Sequence, residues 1–254
     1  MELVALFTET RVIGFILLFF RFSGLFIAVP IFSHQNIPMN IKASFALFFT
    51  IVFYPSMPPL DIPISIAAII MAILSEFLFS LVIGLVLQLA YHIITFAGGQ
   101  ISFMMGFSMA TAIDPQSGVS MPIVSQFLSL LTLMLLFSLN MHHWIFLFIN
   151  ESLTAIPLGS FLMQEKLFGY VMHAATQIFI VGFMIAFPIV ALSWMVDIIF
   201  GMLMKTMPQF NLLVIGMPIK IGVGLTVIIA TLSSTFLIMR EHFLEAFNWL
   251  EVLF

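Results

Sequence analysis

Charged residues are scarce in this sequence and cysteine is absent. Asp, Glu, Lys and Arg make up 7% of its 254 residues, whereas a soluble domain carries about 25%. A molecular surface so poor in charge would not stay in solution, so the composition favours an integral membrane protein. The lack of cysteine excludes a disulfide framework and thiolate chemistry within this chain.

The few charges form no basic cluster. Seven Lys and Arg residues oppose eleven Asp and Glu residues, for a net charge of -4. Nucleic-acid binding needs grouped basic side chains that neutralise phosphates, so we expect no nucleic-acid partner. Glu2 and Glu9 precede the first apolar run, where a cleaved signal peptide has basic residues, so we expect this run to be retained.

Sequence patterns of catalysis are also missing. Neither an HExxH zinc motif nor a GxxxxGK[ST] phosphate loop occurs. Residues 106–110 match the nucleophile elbow only loosely, because Ala110 replaces its last glycine. His142 and His143 are adjacent, so on a helix they would point about 100° apart and share one metal poorly. We therefore expect no enzyme, no metal and no cofactor.

Long uncharged runs dominate what is present. No Asp, Glu, Lys or Arg lies between Glu76 and Asp114, a gap longer than the roughly 20 residues of a spanning helix. Strands seldom reach such lengths, and in lipid a helix satisfies its own backbone. The sequence thus predicts an all-α polytopic membrane protein, with Pro188 as a kink point. The six predicted helices cover residues 12–31, 41–57, 64–95, 122–149, 168–200 and 212–239.

Four charges fall inside these apolar helices or at their edges: Arg21, Glu76, Asp197 and Lys220. Each would cost several kcal/mol if it faced lipid, so each should face protein or water. One interpretation is structural, with the four pairing among themselves or with a partner subunit. The other is an ion relay in a transporter, but a coupled transporter usually has a denser set of acids at mid-membrane. The structural interpretation is favoured.

The segment at residues 98–118 is half polar and rich in glycine. Gly98 and Gly99 should weaken the preceding helix, and Asp114-Pro115 with Gly118 should force a turn. Irregular backbone at membrane depth is tolerated only beside protein or a water-filled cavity. We therefore expect a re-entrant element that lines a cavity. The abundant methionines around it are either packing filler or a deformable lining.

Five motifs, in order along nearly the whole chain, resemble the FliR family of flagellar biosynthetic and type III secretion export-gate proteins. Four of them are Arg21 to Pro30 with SHQNIP and Lys42, then AGGQISFMMGF with DP, then SLNMHHW, in which Met141 replaces the usual glycine, and then ESLTAIPLG. The most specific is MPQFNLLVIGMPIKIGVG, which resembles the family signature P-Q-x-N…G-x-P-x-K at Pro208, Gln209, Asn211, Gly216, Pro218 and Lys220.

The resemblance implies a core component of an export gate. Such proteins form a closed pore with FliP-like and FliQ-like membrane subunits, beside a FlhB-like subunit, and unfolded export substrates pass through it. The expected location is the bacterial inner membrane, in contact with lipid, at the flagellar basal body. Residues 1–160 would correspond to a FliP-like part and residues 165–254 to a FliQ-like helical hairpin.

The resemblance also implies that the central loop is a plug inside the pore. Carried over to this sequence, the candidate plug residues are Gly106, Phe107, Ser108, Met109, Ala110, Thr111, Ala112, Ile113, Asp114 and Pro115. Family members often have aromatics just before Asp-Pro, where this chain has Ala112 and Ile113. Apolar, glycine-flanked residues can exclude water and then part for a polypeptide.

Two alternatives remain open from the sequence. The buried charges and glycine-broken helices also suit a small-solute or ion-coupled secondary transporter. Within the export-gate interpretation, no diagnostic residue separates a flagellar from a virulence secretion system, and overall likeness favours the flagellum.

Overall fold

The computed structural model describes residues 9–34, 37–60, 65–107, 122–163, 165–207 and 212–251, and every regular element there is helical. A 3-10 turn, Tyr54–Ser56, follows the third α-helix, and a π turn, Leu212–Gly216, precedes the last. The predicted all-α class is confirmed. The α-helices are α1 (Glu9–Ala28), α2 (Pro30–Ser33), α3 (Met39–Phe53), α4 (Ile66–Met104), α5 (Ile123–Ser138), α6 (Met141–Ala155), α7 (Glu165–Thr206) and α8 (Met217–Glu251).

Four of the described helical stretches are long and apolar enough to cross a membrane: Thr10–Ala28, Ile66–Met104, Glu165–Thr206 and Val214–Glu251. Helices α5 and α6 pass the same test only as a pair, which would give a fifth span. Helix α3 has 15 residues, fewer than the roughly 20 that an upright span needs. The described residues thus hold four or five candidate spans where the sequence predicted six long helices.

The predicted helix over residues 122–149 is wrong, because the chain breaks between α5 and α6. The two helices are bent by 62° at this break. Asn140 adopts a left-handed conformation with φ 56°, which Asn tolerates better than most residues because its short polar side chain can bond locally. Its backbone N–H still bonds the carbonyl of Phe137 at 3.0 Å. Prolines delimit α1 and α3 as expected. Helix α7 continues through Pro188, and the predicted kink there stays a prediction.

The chain forms two compact units that interleave along the sequence. The first comprises Met1–Gln88, Leu136–Val171 and Leu244–Phe254, and the second comprises Leu89–Leu135 and Met172–Phe243. Helices α4, α5, α7 and α8 contribute residues to both. The predicted division into a FliP-like part, residues 1–160, and a FliQ-like helical hairpin, residues 165–254, is based on resemblance to two other families, and it stays a prediction.

A phenylalanine cluster forms the core of the first unit between α1, α3 and α6. The rings of Phe49 and Phe146 stack with their centroids 4.2 Å apart, and Phe22 packs against Phe53 at 5.2 Å. Phe26 joins Phe49 at 5.7 Å. Aromatic pairs at these distances add to the stabilisation from burial, so this cluster fixes the three helices around one core.

Close approaches to glycine organise the second unit. A Cβ on Gly98 would lie 2.9 Å from the backbone nitrogen of Ser125, and a Cβ on Gly182 would lie 2.7 Å from the ring of Phe96. The absence of a side chain therefore lets α4 meet α5 at Gly98 and α7 at Gly182. Phe96 also packs edge-on against Phe179, with 5.2 Å between centroids.

Candidate functional site

The first candidate site is a buried ion pair between α1 and α4. The side chains of Arg21 and Glu76 are both fully buried. Nε of Arg21 donates to Oε2 of Glu76 at 2.5 Å, and Nη2 donates to Oε1 at 3.1 Å. Two parallel bonds between a guanidinium and a carboxylate are the strong form of charge-assisted hydrogen bond. Two of the four charges predicted in the apolar helices therefore pair with each other.

The chain around the end of α6 satisfies the remaining polar atoms of this pair. Nη1 of Arg21 donates to Oγ of Ser152 at 3.0 Å, and Nη2 donates to the carbonyl oxygen of Ile156 at 3.2 Å. The backbone N–H of Gly159 donates to Oε1 of Glu76 at 2.6 Å. A buried ion pair is tolerated when its other hydrogen-bonding positions are also filled. The pair thus joins three segments that are far apart in sequence.

Helices α1 and α4 approach closely beside the pair. The hydroxyl of Ser80 donates to the carbonyl oxygen of Arg21, and the guanidinium lies 4.6 Å from the centre of the Phe79 ring. A Cβ on Gly84 would lie only 2.7 Å from the carbonyl carbon of Ala28. Small residues permit such close packing of membrane helices, so the contact positions the carboxylate against the guanidinium.

The second candidate site is an ion pair between α7 and α8. Nζ of Lys220 donates to Oδ2 of Asp197 at 2.8 Å. Their side chains are 18% and 49% exposed, so this pair is only partly covered by its own chain. The other two predicted charges are thus also paired with each other, and Asp197 retains open surface toward lipid, water or another subunit.

The approach to the central segment differs from the prediction. Helix α4 does not end near residue 95 but continues through Gly98 and Gly99 to Met104. Helix α5 stabilises this extension, because Ser102 Oγ accepts the N–H of Val124 at 3.1 Å and Ser125 Oγ donates to the Thr95 carbonyl at 2.8 Å. Tertiary packing thus offsets the weak helix propensity of the two glycines.

A buried methionine and a left-handed glycine end this helix. Met105 is fully buried, and its side chain lies on α8 where Gly224 leaves room, since a Cβ there would meet Met105 Cγ at 2.8 Å. Gly106 has φ 86°, a conformation that glycine adopts without strain. The chain therefore leaves α4 from a fixed point, and Phe107, which is half-buried, is the last residue described before the central loop.

Most of the predicted plug and part of the family signature lie outside the described residues. Of the signature, the structure describes Gly216 as a buried residue at the end of the π turn, Pro218 in the first turn of α8, and Lys220. The residues outside the description are Ser108, Met109, Ala110, Thr111, Ala112, Ile113, Asp114 and Pro115 of the plug, and Pro208, Gln209 and Asn211 of the signature.

The described residues hold no cluster of metal-ligating side chains. No group of three or more His, Asp or Glu among them could hold a metal ion. The rings of His142 and His143 lie 4.1 Å apart, and His142 also contacts Phe137. These contacts pack the histidines at the start of α6.

Several residues of the first site were not predicted from the sequence. Phe79 and Ser80 follow Glu76 by three and four positions on α4, a spacing that puts them on the same helix face. That spacing could have indicated from the sequence that Phe79 and Ser80 lie beside the Glu76 carboxylate. The contribution of Gly159 comes from its backbone N–H, and no side-chain pattern indicates it.

Charges paired across long apolar helices, with wide apolar faces left open, define a polytopic α-helical membrane protein. A matching family model narrows this class, because the family described as "Bacterial export proteins, family 1" matches residues 12–246. The match covers most of the chain, including both ion pairs. The chain belongs to this family.

Curated relatives are similar along nearly their whole length. The flagellar biosynthetic protein FliR of Bacillus subtilis is 31% identical, over 91% of this chain and 90% of the relative. The FliR of Escherichia coli K12 is 27% identical, over 91% and 88% respectively. The FliR of Caulobacter vibrioides is 27% identical, over 90% and 92%. The likeness therefore extends over about nine-tenths of each chain and is not confined to one shared motif.

Proposed function

We propose that this chain is a membrane subunit of the flagellar protein-export gate. The observation that carries the proposal is the family match over residues 12–246, together with relatives named flagellar biosynthetic protein FliR that match over 90% and 88% of their own length. The family is described as export proteins, and the relatives' names place them in flagellar assembly. A long apolar chain with internally paired charges suits a subunit that sits in a membrane assembly.

The gate we propose is built with FliP-like and FliQ-like subunits and contacts a FlhB-like subunit, in the inner membrane at the basal body. The exposed faces of the last helices support the need for partners. Only 17% of the most apolar stretch of Val214–Glu251 is buried inside this chain. Ile229 is 75% exposed, and Asp197 has open surface as well. Subunit contacts would cover such faces.

Purification from the native membrane in mild detergent tests the assembly. The gate proposal expects small membrane proteins to accompany the chain in fixed ratio. A lone monomer or simple homodimer that transports a small solute in liposomes would contradict it. Quantitative mass spectrometry of the purified material measures the ratio directly.

We further propose that residues 106–115 form a plug that keeps the pore closed to ions until a polypeptide enters. Its support is the anchored start of the loop, where Met105 is buried and Gly106 turns the chain out of α4. A loop held at a fixed point can return to one closed position after each passage. Apolar residues at a constriction exclude water and so block ion flow.

Deletion of residues 106–113 in the assembled complex tests the plug. The expected result is increased ion conductance across a bilayer that contains the complex, because the constriction loses its apolar filling. Gly99→Ala is the matched control, since Gly99 has open space around it and precedes the loop. A deletion complex that remains as tight to ions as the parent would end the plug proposal.

The secondary-transporter alternative has less support from the described residues. Its motivation is the buried charges and the glycine-broken helices, and the charges would have to be free to bind an ion or a proton inside the membrane. Arg21 is paired with Glu76, and Lys220 is paired with Asp197. A coupling ion would have to break one of these pairs before it could bind there.

A further inference from the structure

The end of α4 rests on α8 within the second unit. Met105 is fully buried, and its backbone N–H bonds the carbonyl oxygen of Ile101 at 2.9 Å. A Cβ on Gly224 of α8 would lie 2.8 Å from Cγ, 2.9 Å from Sδ and 2.9 Å from Cε of Met105. The outer atoms of this side chain therefore surround one point on α8. The contact between Met105 and Gly224 is here called the seat.

The seat has no room for one added methyl group. Turning only the tip of Met105 would not make room, because Cγ, the atom nearest the backbone, is itself 2.8 Å from the added Cβ. A side chain at position 224 would therefore displace the whole Met105 side chain and the end of α4 with it, since overpacking of this kind shifts the backbone. Gly222, two positions earlier, has nothing within 4 Å of its own Cβ position. The tight fit thus belongs to Gly224 and not to every glycine of α8.

The same face of α8 also meets the residue that follows Met105. Met217 and Gly224 are seven positions apart, about two helical turns, so they lie on one face of α8. A Cβ on Gly106 would lie 3.2 Å from Cε of Met217. Lys220 lies between them on this face, and its ion pair with Asp197 ties this part of α8 to α7. Helix α7 therefore helps to fix the surface on which α4 ends.

Gly106 separates the seated methionine from the chain beyond it. Its N–H bonds the carbonyl oxygen of Phe103 at 3.1 Å, which closes the last turn of α4. Its φ of 86° lies in the left-handed region, and glycine reaches conformations on both sides of φ 0° without strain. Rotation at Gly106 can therefore redirect the following residues while Met105 stays in the seat. The seat acts as a fixed point and Gly106 as a pivot.

We infer that Met105 and Gly224 are positioning residues for the plug, an inference that rests on the plug proposed above for residues 106–115. Helix α8, through the seat, sets the point and the direction from which the plug leaves α4. The seat stays closed while a polypeptide passes, and the plug moves by rotation at Gly106. The closed position of the plug therefore depends on α8, which follows it by about a hundred residues in the chain.

Ion conductance and protein passage, both measured on the assembled complex with the full chain, test the inference. Gly224→Ala overfills the seat, and Met105→Ala empties it. We expect each to raise the ion conductance of a bilayer that contains the complex by about threefold or more, because the plug then starts from a displaced point. Passage of an export substrate should stay within about twofold of the parent, since the pore itself is unchanged. Gly222→Ala is the matched control and should leave the conductance as it is, because its Cβ meets nothing within 4 Å.

A conservative variant separates positioning from a structural role. Met105→Leu keeps the volume of the side chain and should keep the complex tight to ions, whereas Met105→Ala should not. Helix content and subunit ratio are measured on the same material, and a loss of passage in step with the leak overturns the inference. Unchanged conductance in both Gly224→Ala and Met105→Ala also overturns it, and if deletion of residues 106–113 still causes a leak, the plug itself stands. A tight deletion complex overturns the plug and this inference with it.

A disulfide across the seat tests whether it stays closed during passage. The chain has no cysteine of its own, so Met105→Cys combined with Gly224→Cys introduces a single pair. The two Cβ atoms lie no more than about 4.3 Å apart, one C–C bond beyond the 2.8 Å contact with Cγ, a separation that a disulfide spans. We expect equal passage of the export substrate through the oxidised and the reduced complex, with the two single cysteine variants as controls. Passage that oxidation blocks and reduction restores, in the double variant alone, overturns the inference, because the seat would then have to open.

Discussion

At the scale of single residues, the Arg21–Glu76 pair has the largest expected effect on stability. Arg21→Met leaves the fully buried Glu76 carboxylate without its cation, which should lower the free energy of unfolding by about 3–5 kcal/mol. Adding Glu76→Met removes the orphaned charge and should recover part of the loss, because apolar replacements of buried pairs are often near neutral. Thermal unfolding of the full chain in detergent measures both variants. An Arg21→Met variant as stable as the parent would contradict the inference that the pair joins α1, α4 and the chain at the end of α6.

The Lys220–Asp197 pair provides the contrasting residue-scale prediction. Asp197 is about half exposed, so solvent already compensates part of its charge. Lys220→Met should therefore reduce the stability of the isolated chain by about 1 kcal/mol or less, as for other accessible pairs. The same unfolding measurement checks it, and a loss as large as that of Arg21→Met would show that the pair is desolvated.

The sequence predicts that these four residues avoid lipid, but not which of them pair. Charge inside an apolar helix is visible in the sequence, and its energetic penalty requires a partner. Arg21 and Glu76 are 55 positions apart, and no local periodicity links such distant residues. The backbone N–H of Gly159 completes the site because of a turn whose shape only the folded chain reveals.

At the scale of secondary-structure elements, two adjacent glycines of α4 should respond to alanine in opposite directions. A Cβ on Gly98 would meet the backbone of Ser125, whereas Gly99 has nothing within 4 Å. Gly98→Ala should destabilise the chain by about 1–3 kcal/mol through overpacking. Gly99→Ala should stabilise it by about 0.5–1 kcal/mol, since alanine loses less entropy in a helix. Unfolding curves of the two variants measure both changes in the free energy of unfolding. Changes of equal sign would exclude the close α4–α5 contact.

The bend between α5 and α6 gives a second prediction at this scale. Asn140 has φ 56°, so Asn140→Gly should be tolerated, whereas Asn140→Val should cost about 1–2 kcal/mol because a β-branched side chain is strained there. Far-UV circular dichroism and unfolding in detergent measure both. Equal stability of the two variants would mean that the bend does not need a left-handed residue.

The existence and type of the helices could be predicted from apolar run length, but several of their ends could not. Pro30 and Pro55 mark real boundaries, because proline lacks a backbone donor. The break at Asn140 lies within an apolar run and has no proline or glycine to signal it. The extension of α4 to Met104 depends on contacts with α5, which sequence periodicity does not contain.

At the scale of the whole molecule, the open face of α8 carries a prediction that rests on the proposed gate. Ile229 is 75% exposed, so Ile229→Lys should leave the helix content of the purified chain unchanged. It should sharply reduce the accompanying membrane subunits, because an unpaired charge in an apolar interface is strongly disfavoured. Ile229→Leu is the control and should keep them. Undiminished subunits with Ile229→Lys would show that this face does not meet a partner.

The membrane class could be predicted at this scale from composition alone, since a 7% share of charged residues leaves few other possibilities. The interleaving of two compact units could not, because segments from both ends and the middle of the chain form the first unit. The plug remains a prediction that the family resemblance supplies.

The wide sequence separation within the Arg21 site has a consequence for biogenesis. The nascent chain presents Arg21 to the insertion machinery before Glu76 has been translated, and Ser152 and Gly159 emerge later still. At roughly 5–20 residues per second, the guanidinium waits several seconds for its counter-ion. We therefore expect α1 to remain at the translocon while Arg21 is unpaired, and to enter the bilayer fully only when α4 arrives with Glu76.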